Sequence, residues 1–168
     1  MEEQQDRYIY KGYKYRIYPT NKQKEYFEQA FGATRFLYNY FLELQEERYK
    51  NGEKYLGRFD CFKLLTQLKQ KDEYSWLKDI DRGITRQAYR RFFNGLSSKP
   101  CYHLKRGHIQ SFTTVQDNLK QKTAAIRVYN KSINLPKVGK LRTKVSRPIL
   151  GNHNIRLVTI TKTPTNKY

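Results

Sequence analysis

The amino-acid sequence predicts an α+β fold: an N-terminal strand joining a C-terminal β-barrel-like sheet, with a block of about four helices inserted between them. Three observations carry this. A stretch ending at Tyr18 alternates large and basic side chains with period two. From Tyr26 to Phe93 the apolar residues recur at helical spacing. From Ile109 onward the pattern returns to period two.

The elements follow in order. Tyr13, Tyr15 and Ile17 fall on one side of the first strand, Lys14 and Arg16 on the other, and Pro19 ends it. Thr20 and Gln23 have the spacing of a capping box. A helix with Tyr26, Phe27, Ala30 and Phe31 on one face follows, and Gly32 is expected to break or bend it. Phe36, Leu37, Tyr40, Phe41 and Leu44 form a second amphipathic face, closed by Asn51-Gly52. Asp60 is the expected cap of a third helix with Phe62, Leu64, Leu65 and Leu68 inside, and Trp76-Leu77 anchors the core after it. Asp81 caps a fourth helix carrying Ile84, Ala88, Tyr89, Phe92 and Phe93. Gly83 should weaken its first turn by about 1 kcal/mol relative to Ala. Asn94-Gly95, Ser97-Ser98 and Pro100 end the helical region. Strands are expected at 110–115, 124–129, 132–135, 140–145 and 154–163, with a tight hairpin turn at Asn130-Lys131. The chain thus divides into a first barrel strand (1–19), a helical lobe (20–98), a basic connector (99–108) and a basic strand-rich barrel (109–168).

Charge separates the two halves. The 168 residues hold 34 Lys and Arg against 15 Asp and Glu. Residues 1–81 carry 15 basic and 14 acidic side chains, whereas 82–168 carry 19 basic and one acidic, Asp117. A half-chain with that excess repels itself unless a polyanion compensates it, and nucleic acid is the usual one. An anionic membrane surface would call for a basic amphipathic helix, and the basic half reads as strands. The 15 tyrosines and 9 phenylalanines supply enough burial for a packed fold despite the charge. No stretch approaches the roughly 18 apolar residues of a membrane span, and the acidic N-terminus does not resemble a signal peptide. Cys61 and Cys101 stand far apart, which fits a reducing, cytoplasmic setting.

The candidate chemistry is binding rather than catalysis. A metal-dependent nuclease needs converging carboxylates, and the strand-rich half offers Asp117 alone. No phosphate loop of the P-loop type is present. Cys101, His103 and His108 are conceivable zinc ligands, but the second ligand pair of a zinc module is missing, and no metal or other cofactor is expected. The alternative is a basic connector in which Lys99, Lys105 and Arg106 contact phosphate. Arg82, Arg86 and Arg90 make one helical stripe. Lys137, Lys140, Arg142, Lys144 and Arg147 gather around a strand whose alternation puts charge on one sheet face. With Lys14 and Arg16 these are the candidate nucleic-acid contacts. Some tyrosines could stack on bases, but Tyr26, Tyr40 and Tyr89 fall on apolar faces and read as core.

Five segments in order carry a family resemblance: Tyr13-Lys14-Tyr15-Arg16-Ile17-Tyr18-Pro19-Thr20, Gly32-Ala33-Thr34-Arg35-Phe36-Leu37-Tyr38-Asn39, Ser75-Trp76-Leu77-Lys78-Asp79-Ile80-Asp81, Gln110-Ser111-Phe112-Thr113-Thr114, and Ile133-Asn134-Leu135-Pro136-Lys137-Val138-Gly139 running on to Arg147-Pro148. Together they resemble the amino-terminal half of the TnpB (OrfB) proteins of bacterial insertion sequences, RNA-guided DNA nucleases related to type V CRISPR effectors. The resemblance implies a wedge-like barrel and a helical recognition lobe that hold a guide RNA and read a short motif in the adjacent DNA duplex. It places Arg82 and Arg86 near that duplex and makes Thr114, Gln116 and Asn118 further candidate contacts. It also implies that the RuvC-like nuclease domain follows the matched region, so no catalytic residue is expected here. The chain is then expected to be a truncated, nucleic-acid-binding TnpB-like protein whose partners are RNA transcribed from its own element and duplex DNA, with no membrane role. The alternatives are one part of a split or frameshifted endonuclease, partnered by a separately encoded nuclease half, and a nuclease-lacking, guide-directed repressor.

Overall fold

The structure is a computed structural model that describes residues 10–96, 111–115, 126–149 and 155–168. The α+β class and the strand–helices–strands order are as expected. Strand β1 (Arg16–Tyr18) leads into helix α1 (Asn21–Lys50), helix α2 (Arg58–Gln70), a 3₁₀ segment (Asp72–Lys78) and helix α3 (Arg82–Leu96). Five strands follow: β2 (Ser111–Val115), β3 (Arg127–Tyr129), β4 (Ser132–Leu135), β5 (Gly139–Lys144) and β6 (Leu157–Thr161).

The N-terminal strand does join the later sheet. One antiparallel sheet has the order β1-β5-β4-β3, and a separate two-stranded sheet pairs β2 with β6. Among the described residues no ladder links the two, so the barrel-like sheet is open. The other side of β1 is also engaged, because the Ile17 amide donates to the Tyr168 carbonyl at 3.1 Å. Asn130-Lys131 forms the β3–β4 hairpin turn.

The expected break at Gly32 is absent. Helix α1 runs unbroken through it, opened by the Thr20–Gln23 capping box. One glycine costs about 1 kcal/mol, whereas Phe27, Phe31, Leu37 and Phe41 are fully buried along the same helix at roughly 1.5–3 kcal/mol each. Helix α2 starts two residues before Asp60. Gly57 holds the cap position, and its amide donates to Asp60 Oδ2 at 2.9 Å, so Asp60 acts from the third helical position. Leu65 and Leu68 of α2 are buried, but Phe62 is exposed. Leu77 anchors the core, while Trp76 stays partly exposed and meets Phe36 edge-on.

The core sits where α1 and α3 meet the β2–β6 sheet. Phe112 of β2 lies 5.5 Å from both Phe27 and Phe31, measured between ring centroids. Tyr168 packs on Phe27, and Lys162 bonds Glu28 at 2.6 Å, which returns the last residues to α1. Asp81 caps α3 as expected, its Oδ2 accepting from the Ile84 amide. The same oxygen accepts from the Thr114 hydroxyl at 2.8 Å, and the Asp81 amide donates to the Tyr26 phenol oxygen at 3.0 Å. A single residue thus ties α1, α3 and β2 together.

Candidate nucleic-acid interface

The register of the four-stranded sheet sorts its side chains by chemistry. Tyr18 pairs with Arg142, Arg142 with Ser132, and Ser132 with Tyr129, so these four share one rung. Arg16 lies opposite Lys144, and Lys140 opposite Asn134, which faces Arg127. Period two then puts Arg16, Tyr18, Arg127, Tyr129, Lys140, Arg142 and Lys144 on one face. All seven are exposed. The opposite face buries Ile17, Ile133, Leu141 and Thr143. No carboxylate stands among the positions of the basic face, and the Arg16 and Arg142 guanidiniums each lie 5.8 Å from the Tyr18 ring centroid. Beside them, Tyr129, Asn130, Lys131, Ser132, Lys140 and Arg142 line an open groove of about 810 Å³.

The surroundings of this face place three more candidates. Lys14 is exposed just ahead of β1. Lys137 stands in the β4–β5 turn with φ 64°, a left-handed conformation uncommon outside glycine. Arg147 packs its guanidinium 4.9 Å from the Tyr13 ring centroid while its carbonyl accepts from the Tyr15 hydroxyl at 2.7 Å. Gln23 of α1 donates to the carbonyls of Val138 and Lys140, fixing the same turn to the start of the helical block.

The α3 arginines diverge. Arg82 is exposed, Arg86 is half-buried with its guanidinium 5.5 Å from the Phe62 ring centroid, and Arg90 is half-buried with its Nε shielded from solvent and unbonded. Near Arg82 and Arg86, the Lys69 ammonium donates to Thr85 Oγ1 at 3.1 Å. Burial lowers its pKa, the Asp81 carboxylate opposes that, and the two arginines add to it. On another side of α3, Gln87, Arg91 and Asn94 recur at one-turn spacing and join Thr34 and Thr113 around a polar groove of about 220 Å³ floored by Ile84, Ala88 and Phe112.

Thr114 is buried and gives its hydroxyl to Asp81, so it holds β2 to α3. Its neighbour Thr113 faces the polar groove and shares a hydrogen bond with Thr159 at 2.8 Å. Lys99, Lys105, Arg106, Gln116 and Asn118 lie outside the described residues, as do Cys101, His103 and His108. Sequence reasoning missed Tyr18, Arg127, Tyr129, Lys131 and Gln87. Tyr18 was within reach, since it continues the alternation of Arg16. Tyr129 and Arg127 needed the β3–β4–β5 register, which period alone does not supply.

Residues 9–54 match the helix-turn-helix domain of the OrfB proteins of IS605. The matched stretch holds β1, α1 and the Asn51-Gly52 turn, and the next helix begins at Arg58. The chain is 30% identical over 147 residues to InsQ of Escherichia coli (strain K12), whose name assigns it provisionally as an RNA-guided DNA endonuclease. It is 27% identical over 101 residues to a Streptomyces pristinaespiralis protein with the same provisional assignment. It is also 34% identical over 79 residues to the virulence protein VsdF of Salmonella dublin, covering 43% of this chain and 66% of that protein. The first alignment covers 83% of this chain and 35% of InsQ, and the second 56% of this chain and 25% of the relative. No described helix is long and apolar enough to cross a membrane. The matched domain and the extended similarity to InsQ show that this chain resembles the amino-terminal part of the TnpB/OrfB insertion-sequence proteins, over a segment about a third as long as InsQ.

Proposed function

We propose that this chain is the guide-RNA- and DNA-holding portion of a TnpB-like protein and performs no nuclease step of its own. The observation that carries this reading is the basic face of the β1-β5-β4-β3 sheet. Arg16, Lys140, Arg142 and Lys144 stand together there with Arg127, a concentration of positive charge that suits a phosphate backbone. In this reading Lys14, Lys137 and Arg147 extend the phosphate track, and RNA transcribed from the same element is the ligand. Arg82, Arg86 and Arg90 form a second contact region directed at duplex DNA. Lys99, Lys105, Arg106, Gln116 and Asn118 belong to the same reading. Residues 20–98 act as a recognition lobe, 99–108 as a basic connector, and 1–19 with 109–168 as the RNA-holding sheet region.

The test is binding of the full chain to that RNA across a salt series. Five phosphate contacts to a single strand imply roughly a hundred-fold loss of affinity between 50 and 200 mM salt. Reversing Lys137, Lys140 and Arg142 to Glu together should weaken binding and flatten the salt dependence while far-ultraviolet circular dichroism stays unchanged. A flat salt response in the parent chain, or full affinity in the triple variant, rejects the reading.

A second reading is favoured by the names of the relatives. Here the chain is one part of an RNA-guided endonuclease and meets a separately encoded nuclease half. Co-expression with such a half should give guide-dependent DNA cleavage that neither part gives alone. If the locus encodes no such half, guide-directed DNA occupancy without cleavage is the remaining activity of this reading.

A further inference from the structure

Of all the surfaces described, the rung Tyr18–Arg142–Ser132–Tyr129 combines charge with exposed aromatic rings on a rigid element. Tyr18 is 45% exposed and Tyr129 is 49% exposed, although the core of this sheet lies on its other face. A tyrosine packed for stability would turn its ring inward, as the fully buried phenylalanines of α1 do. These two instead stand at opposite margins of the basic face, one on each outer strand of the sheet, with Arg142 between them. Three strand spacings separate them, roughly 14 Å.

We propose that this face holds an unpaired stretch of nucleic acid, with Tyr18 and Tyr129 each stacking on a base and Arg142 meeting the phosphates between. The proposal rests on the nucleic-acid reading above and narrows it to the kind of strand bound. Bases inside a duplex are covered on both faces by their neighbours and offer nothing to a tyrosine ring. An unpaired strand can splay its bases and lay individual ones on aromatic rings while its backbone follows a basic surface. The 14 Å separation fits bases that are not neighbours in one stack, which again requires an unpaired strand. Lys131 and Lys140, in the groove beside Tyr129, continue the positive surface along the path of the strand. Because every base has a π-face, stacking by itself sets a preference for strand state rather than for sequence.

The experiment uses the full chain and three fluorescein-labelled probes with equal numbers of phosphates: an unpaired RNA, an unpaired DNA of the same sequence, and a DNA duplex. Anisotropy titrations compare the parent with Tyr18→Ala, Tyr129→Ala, Tyr18→Phe and Tyr129→Phe. Each alanine variant should lose roughly five- to a hundred-fold affinity for an unpaired probe, keep its affinity for the duplex, and keep the salt slope of the parent. The phenylalanine variants should bind as the parent does, since the ring rather than the hydroxyl carries the contact. A loss on either unpaired probe that the duplex does not share supports the proposal. Equal losses on paired and unpaired probes, or no loss, overturn it. If the alanine variants bind normally while the Lys137, Lys140 and Arg142 reversal weakens binding, stacking is rejected and the phosphate-binding reading survives. If neither set changes affinity, both are rejected.

Discussion

Gly83 lies in the first turn of α3, where that helix meets β2. Helix propensity alone charges it about 1 kcal/mol against alanine. A Cβ at this position would stand 2.8 Å from Thr114 Oγ1, 2.8 Å from Asp81 Oδ2 and 3.0 Å from the Val115 amide nitrogen. The last contact is strand backbone, which cannot rotate away as a side chain can. Gly83→Ala should therefore destabilise the chain by about 1–3 kcal/mol, measured by urea denaturation, against the direction of helix propensity. A gain in stability would show that β2 yields at no cost and that Gly83 does not set the α3–β2 approach. Arg90 is the third arginine of the α3 stripe. Its place in the Arg82–Arg86 series is a matter of spacing, yet its half-burial and unbonded Nε depend on neighbours that spacing does not reveal.

Among the elements, α1 reaches further than its own pattern predicts. Two amphipathic stretches fuse across Gly32 because their apolar faces bury against the same partners, α3 and the β2–β6 sheet. Its first turn also organises the basic face. Gln23 completes the capping box with the Thr20 amide and bonds two carbonyls of the β4–β5 hairpin. Thr20→Ala removes a cap worth about 1 kcal/mol. Gln23→Ala removes three hydrogen bonds at roughly 0.5–1.5 kcal/mol each, less for their partial exposure, so about 2 kcal/mol. Chemical denaturation should rank the two variants in that order. Hydrogen exchange at the β4–β5 turn should accelerate in Gln23→Ala and not in Thr20→Ala; equal protection would mean that Gln23 acts only as a cap.

At the scale of the whole molecule, Tyr26 joins the two ends of the helical block through Asp81 and gives stability a pH limit. Burial pushes its phenol from the ordinary 10 up to about 12, the Asp81 amide hydrogen bond pulls it down, and the Asp81 charge adds to the rise. A raised acid is favoured in its neutral form when folded. Its contribution is therefore complete below pH 10 and is lost as pH climbs towards 12. Thermal unfolding should show stability falling across that window, with a shallower fall in Tyr26→Phe; an identical pH profile in that variant would place the alkaline limit elsewhere. The α+β class, the order of elements, most strand positions and the charged side of β5 are legible in local pattern, because period and charge are local properties that survive without neighbours. Packing between distant segments set the rest. Burial of Phe27, Phe31 and Phe41 outweighed a glycine break, and the pairing of strands distant in sequence produced the rung that holds Tyr18, Arg142 and Tyr129. The close approach of α3 to β2 turned Thr114 from a candidate contact into a link to Asp81. Each of these depends on which surfaces meet, and that is settled by contacts between residues tens of positions apart.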